Sequence, residues 1–361
     1  MNVSVVGAGR LGQLRATAIP ADGWQELTAC PICGEAEHVF DVARIDPGGP
    51  ITAACAACEH GFLRRRPTES WVAGYYASEW DAAGRALTDR RPVTVKPDPK
   101  MAKLAGDRLP AGAAVLDVGA GFGQQLLGFQ QAGLAPHGLE ASEHRAAYVR
   151  ETLGIPCSTV PVEEAEAPDD LRLVVSHHVL EHVADPHSFI AAQVRLLGDD
   201  GLVAVAVPSL WHELPPQAFH YVGHLSLFTP RSLTLLLAAH GLRVVSLTET
   251  FELLVVAERG DPALQAPADP AFAERVSAWA RRPFGDSGRH TIAWRKSRRP
   301  AHMYDDEVVS TGRARLLELG TRGALKRVGD PSLRLLPVDV RETDGLPVVV
   351  GHETYGQAWI K

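Results

Sequence analysis

The stretch Val115-Leu-Asp-Val-Gly-Ala-Gly-Phe-Gly123 decides how the rest of the chain is interpreted. Its first residues are mostly apolar and predict a buried strand, and the glycines that follow predict a tight turn. Apolar residues at helical spacing predict a helix from Gln124 to Gln131. Glycine allows positive φ and lets a ligand approach the backbone, while the N–H groups that open the next helix point into the crevice.

An acid follows one helix later. Pro136-His-Gly-Leu-Glu140 is predicted to be the second strand, and Glu140 at its tip can reach the ribose hydroxyls of a bound nucleoside. The competing interpretation is a solvated acid favoured by the N-terminus of the next helix. The combination of glycine turn and acid favours a nucleoside-containing cofactor.

Two segments resemble the class I S-adenosylmethionine-dependent methyltransferases. The stretch 115–123, with Asp117 two residues before its first glycine, is similar to the first motif of that family, and residues 173–186 are similar to its fourth-strand segment, above all in Leu180-Glu-His-Val-Ala-Asp-Pro186. The resemblance covers residues 100 to 257. It implies an α/β fold with a Rossmann-like doubly wound sheet, and S-adenosylmethionine as the cofactor.

The resemblance also implies the cofactor site. The loop backbone would hold the methionine part of the cofactor and Glu140 the ribose, while Asp117 would order the loop and reach the amine through water. The residues predicted to bind the cofactor are Asp117, Gly119, Ala120, Gly121, Phe122, Gly123, Glu140, Ala141 and His177.

Composition sets the broad class. The chain has 361 residues, is 45% hydrophobic and 22% charged, and carries a formal net charge of −7. That length predicts about two domains. The acidic balance argues against a nucleic-acid binder, and the apolar runs are too short for a membrane span. With no cationic leader followed by an apolar core, we expect a cytoplasmic protein.

Four of the five cysteines form two pairs, Cys30-Pro-Ile-Cys33 and Cys55-Ala-Ala-Cys58. This spacing is typical of two knuckles that clamp one tetrahedral Zn²⁺, and four thiolates leave no open position, so the ion would be structural. The alternative is four reduced, buried cysteines without metal. His38 and His60 are expected at the surface. We predict a zinc-ribbon module over residues 30–66.

The flanks of this module carry weaker signals. Residues 1–29 are predicted to be a leader, in which the dinucleotide-like pattern Gly7, Gly9, Gly12 is coincidental because Pro20 cuts the helix that should follow. The basic run 64–66 is expected to be a solvated edge, with an anionic-substrate contact as the alternative.

Residues 67–99 are predicted to form an aromatic connector and linker. For its aromatic residues we favour core packing over covering the active site; they are Trp71, Tyr75, Tyr76 and Trp80.

Histidines are the candidate bases, because methyl transfer to oxygen or to an acidic carbon benefits from a base near neutral pH. For His178 two roles stay open, as part of the wall of the cofactor pocket or as an acid/base, whereas His182 is expected to be structural. Residues 219–230 resemble the segment after the fifth strand in this family, and there His220, Tyr221 and His224 are further catalytic candidates. This segment also departs from the sugar C-methyltransferases, which have a histidine and a glutamate where Val222 and Gly223 stand.

Residues 100–260 are predicted to be the methyltransferase domain and residues 261–361 an α+β extension that serves as a substrate lid or an oligomerisation element. Helices are predicted over 271–282 and 308–319, and strands over 333–338 and 346–350. The extension lacks the glycine-lysine signature expected of the sugar C-methyltransferase terminal domain. A homodimer and a monomer both stay open.

The resemblance implies methyl transfer to a small molecule, by O- or C-methylation of a natural-product or sugar-type acceptor. Two alternatives stay open. One is a different reaction on the same scaffold, and the other is a non-catalytic zinc-ribbon interaction protein with a vestigial cofactor domain.

Overall fold

The computed structural model describes residues 3–5, 17–46, 49–82, 84–85, 94–211, 223–250, 252–261, 268–281, 288–295, 307–311, 333–343 and 346–350. The helices are α1 (Glu69–Tyr75), α2 (Lys100–Ala105), α3 (Gln124–Gln131), α4 (Glu143–Thr152), α5 (Pro186–Leu196), α6 (Pro230–Ala239) and α7 (Phe272–Arg281). The strands are β1 (Val3–Val5), β2 (Thr17–Ile19), β3 (Trp24–Glu26), β4 (Val39–Asp46), β5 (Ile51–Cys55), β6 (His60–Pro67), β7 (Ala114–Val118), β8 (Ala135–Leu139), β9 (Cys157–Ser158), β10 (Leu171–His177), β11 (Leu202–Pro208), β12 (Ser226–Leu227), β13 (Leu242–Glu249), β14 (Glu252–Arg259), β15 (Gly288–Arg295), β16 (Glu307–Thr311), β17 (Leu333–Thr343) and β18 (Leu346–Val350).

A seven-stranded sheet forms the centre of the chain, in the order β13-β14-β11-β10-β7-β8-β9. Strands β7 to β11 run parallel to one another, and β14 lies antiparallel between β11 and β13. All five residues of β7 are buried, as expected for a central strand covered on both faces. The prediction of a mostly parallel sheet with helices on both faces is therefore confirmed.

The two faces of this sheet are covered by different helices. Met101 of α2 and Phe129 of α3 pack with Val115 on one face. Ile190 of α5 and Leu233 of α6 belong to the core on the other face. The observed helix from Gln124 to Gln131 has the predicted bounds, because its apolar spacing is a local signal that the tertiary structure reinforces.

Helix ends in this domain follow the sequence closely. Ser142 caps α4 by accepting from the Arg145 amide, and Asp185 caps α5 by accepting from the His187 and Ser188 amides. Both caps are side chains that satisfy amide groups left unpaired in the first helical turn. The loops before α4 and α5 are thereby fixed at the carboxyl edge of the sheet.

A second sheet joins the cysteine-rich module to the end of the chain. Its order is β12-β6-β5-β4-β18-β17-β15-β16, with β3 beside β6. Strand β18 pairs in parallel with β4, and β17 pairs with both β18 and β15. The module and the extension thus share hydrogen bonds, although the sequence analysis treats them separately. The proposed domain boundaries stay a prediction.

The end of the chain confirms two predicted strands and corrects one predicted helix. The strands expected over 333–338 and 346–350 are present as β17 and β18. The helix expected to begin at Val308 is wrong at its start, because residues 307–311 form β16 and pair with β15. Valine and threonine are β-branched and favour a strand when a partner strand is available.

The first residues form a hairpin-like pair. Strand β1 runs antiparallel to β2, whereas a dinucleotide-binding unit needs two parallel strands joined by a crossover helix. This antiparallel pairing agrees with the prediction that the dinucleotide-like glycine pattern near the start of the chain is coincidental. In the portion of the chain that the structure describes, every helix is too short or too polar to cross a lipid bilayer.

The cysteine-rich module packs directly on the helical face of the central sheet. Cys55 and Phe62 share a core with Phe228 and Leu233. The Leu63 amide donates to the Leu225 carbonyl at 3.0 Å. The module therefore contributes to the same hydrophobic core as the central sheet, and a change in its structure is transmitted to that core.

Candidate active site and metal centre

The glycine loop between β7 and α3 is confined on both sides. Gly119 has a φ of +83°, and a β-carbon at this position would lie 2.4 Å from Cγ2 of Val179. The amides of Gly119 and Ala120 donate to the Leu139 carbonyl at 2.7 and 3.0 Å. A side chain at position 119 would need both a strained backbone and a displaced neighbour. Glycine is required here by the fold as well as by the approach of a ligand.

Glu140 is part of the loop's own hydrogen bonding. Its Oε2 accepts from the Gly121 amide at 2.8 Å and its Oε1 from the Ser142 amide at 2.9 Å. The residue is buried, with 6% of its surface exposed, so the interpretation as a solvated acid is wrong. Each carboxylate oxygen has two lone pairs, which leaves acceptor capacity for the hydroxyls of a ribose.

Asp117 is the buried group in this site that most clearly fits a cofactor. It is 2% exposed, and its Oδ1 has no hydrogen-bond partner within the described residues. Burial, together with the nearby charge of Glu140, raises the pKa of Asp117 to about 7. A buried acceptor without a donor is costly, and the amine of an amino-acid group, reached directly or through water, would satisfy it.

The remaining predicted cofactor residues surround the same loop. Ala120 and Phe122 are buried, and Phe122 meets Tyr148 edge-on with ring centroids 5.3 Å apart. Ala141 is exposed just beyond Glu140. His177 ends β10, beside the loop's strand β7. The structure therefore places the predicted cofactor residues at the carboxyl edge of adjacent strands, and their contacts with a cofactor stay a prediction.

The connector reaches the segment that follows Glu140. Oδ1 of Asp81 accepts from the Ser142 hydroxyl at 2.8 Å and from the His144 amide at 2.9 Å. Arg145 donates to the Trp80 carbonyl at 2.8 Å and stacks 4.0 Å from the Trp80 ring centroid. These contacts join residues 80–81 to the start of α4, beside the predicted ribose site.

The aromatic residues of the connector contact one another. Trp71 stacks on Tyr75 at 5.5 Å, and Tyr76 meets Trp80 at 6.0 Å. All four of these side chains are only partly buried. The expectation of core packing is therefore wrong, because these rings lie at the surface of the domain, where residues 80–81 contact the start of α4. Covering the crevice is the alternative that agrees with this position.

We expect Asp81→Asn to loosen this contact. Burial opposes ionisation of Asp81, but hydrogen bonds from the His144 amide, Ser142 and Arg85 outweigh it and lower its pKa from 3.8 to about 2. The carboxylate therefore stabilises the fold above pH 3.8, and this contribution is lost as the pH falls through about 2. At pH 7 the substitution should lower the free energy of unfolding by about 1–2 kcal/mol.

Urea unfolding at pH 7 and at pH 3 measures this difference. The control is Asp169→Asn, which removes the same charge from an exposed position and should leave stability within about 0.5 kcal/mol of the wild type. Equal stabilities for the two variants at pH 7 would contradict the assigned role of Asp81.

A second cluster lies around His182. Its Nδ1 donates to the Gly223 carbonyl at 2.7 Å, which leaves the lone pair on Nε2 because a carbonyl oxygen can only accept. That Nε2 is 3.7 Å from Oε1 of Glu181, and the ring is 4.8 Å from His224 and 6.0 Å from Tyr76. Burial lowers the pKa of His182 to about 4. His182 is therefore a neutral imidazole at pH 7, with a defined basic nitrogen.

His178 has the opposite protonation. Its Nε2 contacts Oε2 of Glu252 at 2.9 Å, and its Nδ1 contacts Oε1 of Glu181 at 3.2 Å. Burial would lower the pKa of His178, but the hydrogen bonds and charges of the two glutamates raise it to about 9. The ring is an imidazolium at pH 7 and does not suit a general base. Its ion pairs stabilise the fold fully below pH 6.5 and are lost as the pH rises through about 9.

Sequence reasoning missed most of this second cluster. The sequence favours core packing for Tyr76 and indicates no catalytic role for Glu181 or Glu252. His182 was expected to be structural, although it is the histidine with a fixed basic nitrogen beside His224. The spacing of Glu181 and His182 on one short turn was the signal that could have found them. His220 and Tyr221 lie outside the described residues, and their role stays a prediction.

The four paired cysteines converge on one point. Their Sγ atoms all lie within 4.8 Å of one another, with 3.5 Å between Cys30 and Cys58 and 3.6 Å between Cys33 and Cys55. These distances are too long for disulfides and close to the separation of about 3.8 Å between sulfurs around a tetrahedral Zn²⁺. Hydrogen bonds from neighbouring thiols lower the pKa of Cys55 to about 2. The donor set fits a structural zinc ion, whose presence stays a prediction.

His60 corrects one expectation about this module. It was expected at the surface but is completely buried, with its ring 4.9 Å from that of Phe228. Burial lowers its pKa to about 3. His60 pairs with Cys55 across β5 and β6, so the strand register turns it toward the core shared by the module and the central sheet.

Comparison with known proteins defines the central part of the chain. Residues 91–247 match the model of a family described as a methyltransferase domain. This part of the chain is similar to a methyltransferase domain. The matched residues include the glycine loop, Glu140, Glu181, His182 and His224. The predicted Rossmann-like methyltransferase fold is confirmed for this domain, and the wider roles of the flanking regions are matters for proposal.

One curated relative matches over part of its length. The chain is 31% identical over 240 residues to the C-methyltransferase NovU of Streptomyces niveus, a match that covers 62% of this chain and 54% of NovU. The chain thus spans about half the length of this curated relative.

Solved structures with a similar fold are more distant. The 1,6-didemethyltoxoflavin-N1-methyltransferase of Burkholderia thailandensis, solved with 1,6-didemethyltoxoflavin and S-adenosylhomocysteine, is 18% identical with a TM-score of 0.44, and the match covers 60% of this chain and 98% of that one. An S-adenosylmethionine-dependent methyltransferase from Mesorhizobium loti is also 18% identical, with a TM-score of 0.38 and coverage of 45% and 98%.

Proposed function

We propose that this protein transfers the methyl group of S-adenosylmethionine to an oxygen or carbon atom of a small molecule of natural-product or sugar type. The observation that carries the proposal is the buried Asp117 oxygen without a partner, which lies with Glu140 around the glycine loop of a methyltransferase domain. Such an arrangement suits a ligand that carries both an amine and a ribose.

The chain's residues have distinct tasks in this reaction. When bound, the cofactor supplies an electrophilic methyl group whose transfer leaves a thioether, and the acceptor loses a proton. Glu140 accepts hydrogen bonds from the ribose, and the loop that begins at Gly119 holds the amino-acid end. His182 offers a neutral Nε2 that can take the proton, with the carboxylate of Glu181 3.7 Å away to stabilise the resulting imidazolium. His224 stays an alternative base.

Most of the rate enhancement would come from holding the acceptor atom in line with the methyl group in a dry crevice. The contact of residues 80–81 with the start of α4 would help to exclude water from it. NovU is named a C-methyltransferase, which supports carbon as one of the possible acceptor atoms. We further infer that the four cysteines hold one structural zinc ion and that the protein acts in the cytoplasm, where thiolates stay reduced.

Calorimetric titration of the zinc-loaded full chain with S-adenosylmethionine and S-adenosylhomocysteine tests the cofactor site. A screen of sugar nucleotides and phenolic natural products with labelled methyl donor then tests turnover. We expect His182→Gln to keep cofactor affinity and to lose turnover. Absence of binding by the folded wild type, with the acceptor panel present or absent, would refute the proposal. Binding without turnover, together with a stable protein complex, would favour the non-catalytic alternative.

A further inference from the structure

A line of charged side chains leads from α2 to the cluster around His182. Nζ of Lys100 donates to Oε1 of Glu252 at 2.6 Å, and Oε2 of Glu252 contacts Nε2 of His178 at 2.9 Å. Nδ1 of His178 contacts Oε1 of Glu181 at 3.2 Å, and the same oxygen is 3.7 Å from Nε2 of His182. The line joins residues that are far apart in sequence and ends at the proposed base.

The interior of this line is sealed from solvent. The side chains of Glu252 and Glu181 are each 1% exposed, and that of His178 is 10% exposed. Buried carboxylates are stable as ions only when cations or hydrogen-bond donors compensate them. Lys100 and His178 supply two positive charges for the two carboxylates. Glu181 also keeps one oxygen, Oε2, without a hydrogen-bond partner in the described part of the chain.

The backbone of His178 supports a specific placement of its ring. His178 has a φ of +55°, in the left-handed region that residues other than glycine rarely adopt. Its amide donates to the Ala206 carbonyl at 2.9 Å, which fixes this conformation at the end of β10. Such strain persists only where the surroundings determine it, and it is typical of functional sites. Here it turns the ring between two carboxylates that come from different elements.

We propose that Lys100, Glu252 and His178 act as positioning residues that keep Glu181 a compensated carboxylate beside His182 and thereby set the proton affinity of His182. This inference rests on the proposed function, in which His182 takes the acceptor's proton. The groups that face His182 are Glu181, His178, His224 and Tyr76, and those that face His178 are Glu181, Glu252 and His177.

The proposal predicts that Glu252→Gln and Lys100→Met shift the pKa of His178 in opposite directions. In Glu252→Gln, His178 loses one of its two carboxylates and becomes neutral at a lower pH. At the acidic pH where His182 titrates, His178 is still protonated and now pairs with Glu181 alone, so Glu181 stabilises a protonated His182 less and the pKa of His182 should fall by about one unit. In Lys100→Met, Glu252 loses its ammonium partner, so the pKa of His178 should rise instead. The side chain of Lys100 is 31% exposed, so its replacement disturbs the core less than Glu252→Gln does. Lys100→Met therefore keeps the proposal testable if Glu252→Gln does not fold.

Histidine titration by NMR is the direct test. The zinc-loaded full chain is labelled at the histidine rings, and His178 and His182 are assigned from His178→Gln and His182→Gln. The matched control is Glu258→Gln, which removes a carboxylate from the same strand where it pairs with the exposed Arg243. We expect both midpoints to move in Glu252→Gln and neither to move in Glu258→Gln. Unchanged midpoints in both Glu252→Gln and Lys100→Met would overturn the inference.

The pH profile of methyl transfer separates this inference from the proposed function. In Glu252→Gln, the acidic limb of kcat/KM should move to lower pH together with the NMR midpoint of His182. If the midpoint moves and the limb does not, the inference is wrong while the activity stands. If the midpoints move as expected and no acceptor is methylated, the failure belongs to the proposed function.

Discussion

Replacing Cys55 with serine should remove zinc from the protein and unfold both the module and the helical face of the central sheet. Cys55 is fully buried and shares a core with Phe228 and Leu233. A structural zinc ion contributes about 10–16 kcal/mol to the folding of zinc-finger peptides. The net stability of a typical protein is about 5–15 kcal/mol. Loss of one thiolate ligand is therefore expected to exceed what the rest of this core can compensate.

Metal analysis and thermal unfolding measure this effect. The wild type should contain one zinc ion per chain, and Cys55→Ser close to none, with loss of the cooperative transition. Cys157→Ser is the matched control because Cys157 is also a buried, free cysteine but packs in a different cluster, beside Leu126 and Val149. It should keep its zinc. A metal-free wild type with the same stability as Cys55→Ser would support four reduced cysteines without metal.

Glu140→Gln should weaken the binding of S-adenosylhomocysteine by about 100-fold. The carboxylate of Glu140 holds the amides of Gly121 and Ser142 and, in the proposed complex, both ribose hydroxyls. A hydrogen bond to a charged acceptor contributes about 1.5–3 kcal/mol. The amide keeps one acceptor oxygen, so about 3 kcal/mol would be lost in total, and each 1.4 kcal/mol corresponds to a factor of about ten in Kd.

Calorimetry on the folded, zinc-loaded proteins gives the two affinities. Glu143→Gln is the control, since Glu143 lies three residues further along, is 59% exposed and pairs with Arg150. It carries the same change in charge and should bind as the wild type does. If Glu140→Gln bound the ligand with wild-type affinity, the assignment of Glu140 to the ribose would be wrong.

The central sheet and its glycine loop were predictable because their signals are local. A buried strand, a glycine turn and an apolar helical repeat are adjacent in sequence, and Glu140 follows at a distance fixed by one βα unit. The pairing of β4 with β18 has no local signal, so the sequence could not join the module to the extension. His60 was misplaced for a related reason: the register of β6 against β5, which the residue type does not reveal, decides its burial.

The candidate site divides in the same way. The glycine loop and its acid were found from spacing, whereas the partners of His178 were not. Glu252 lies 74 residues from His178 and 152 residues from Lys100 in the sequence. Only the antiparallel insertion of β14 beside β11 brings the start of β14 to the carboxyl edge of the parallel strands. A single sequence contains no periodicity that encodes this meeting, and so the protonation of His178 could not be inferred from it.

The parallel pairing of β18 with β4 also has a consequence for biosynthesis. Strand β4 ends at Asp46, whereas β18, which pairs with one edge of β4, ends at Val350. During translation the edge of β4 is therefore unpaired until residues 346–350 have left the ribosome, and an unpaired strand edge can pair with other chains. Completion of this sheet is a late, non-local step that folds slowly. A nascent chain halted before residue 346 would expose a strand edge that the finished protein covers.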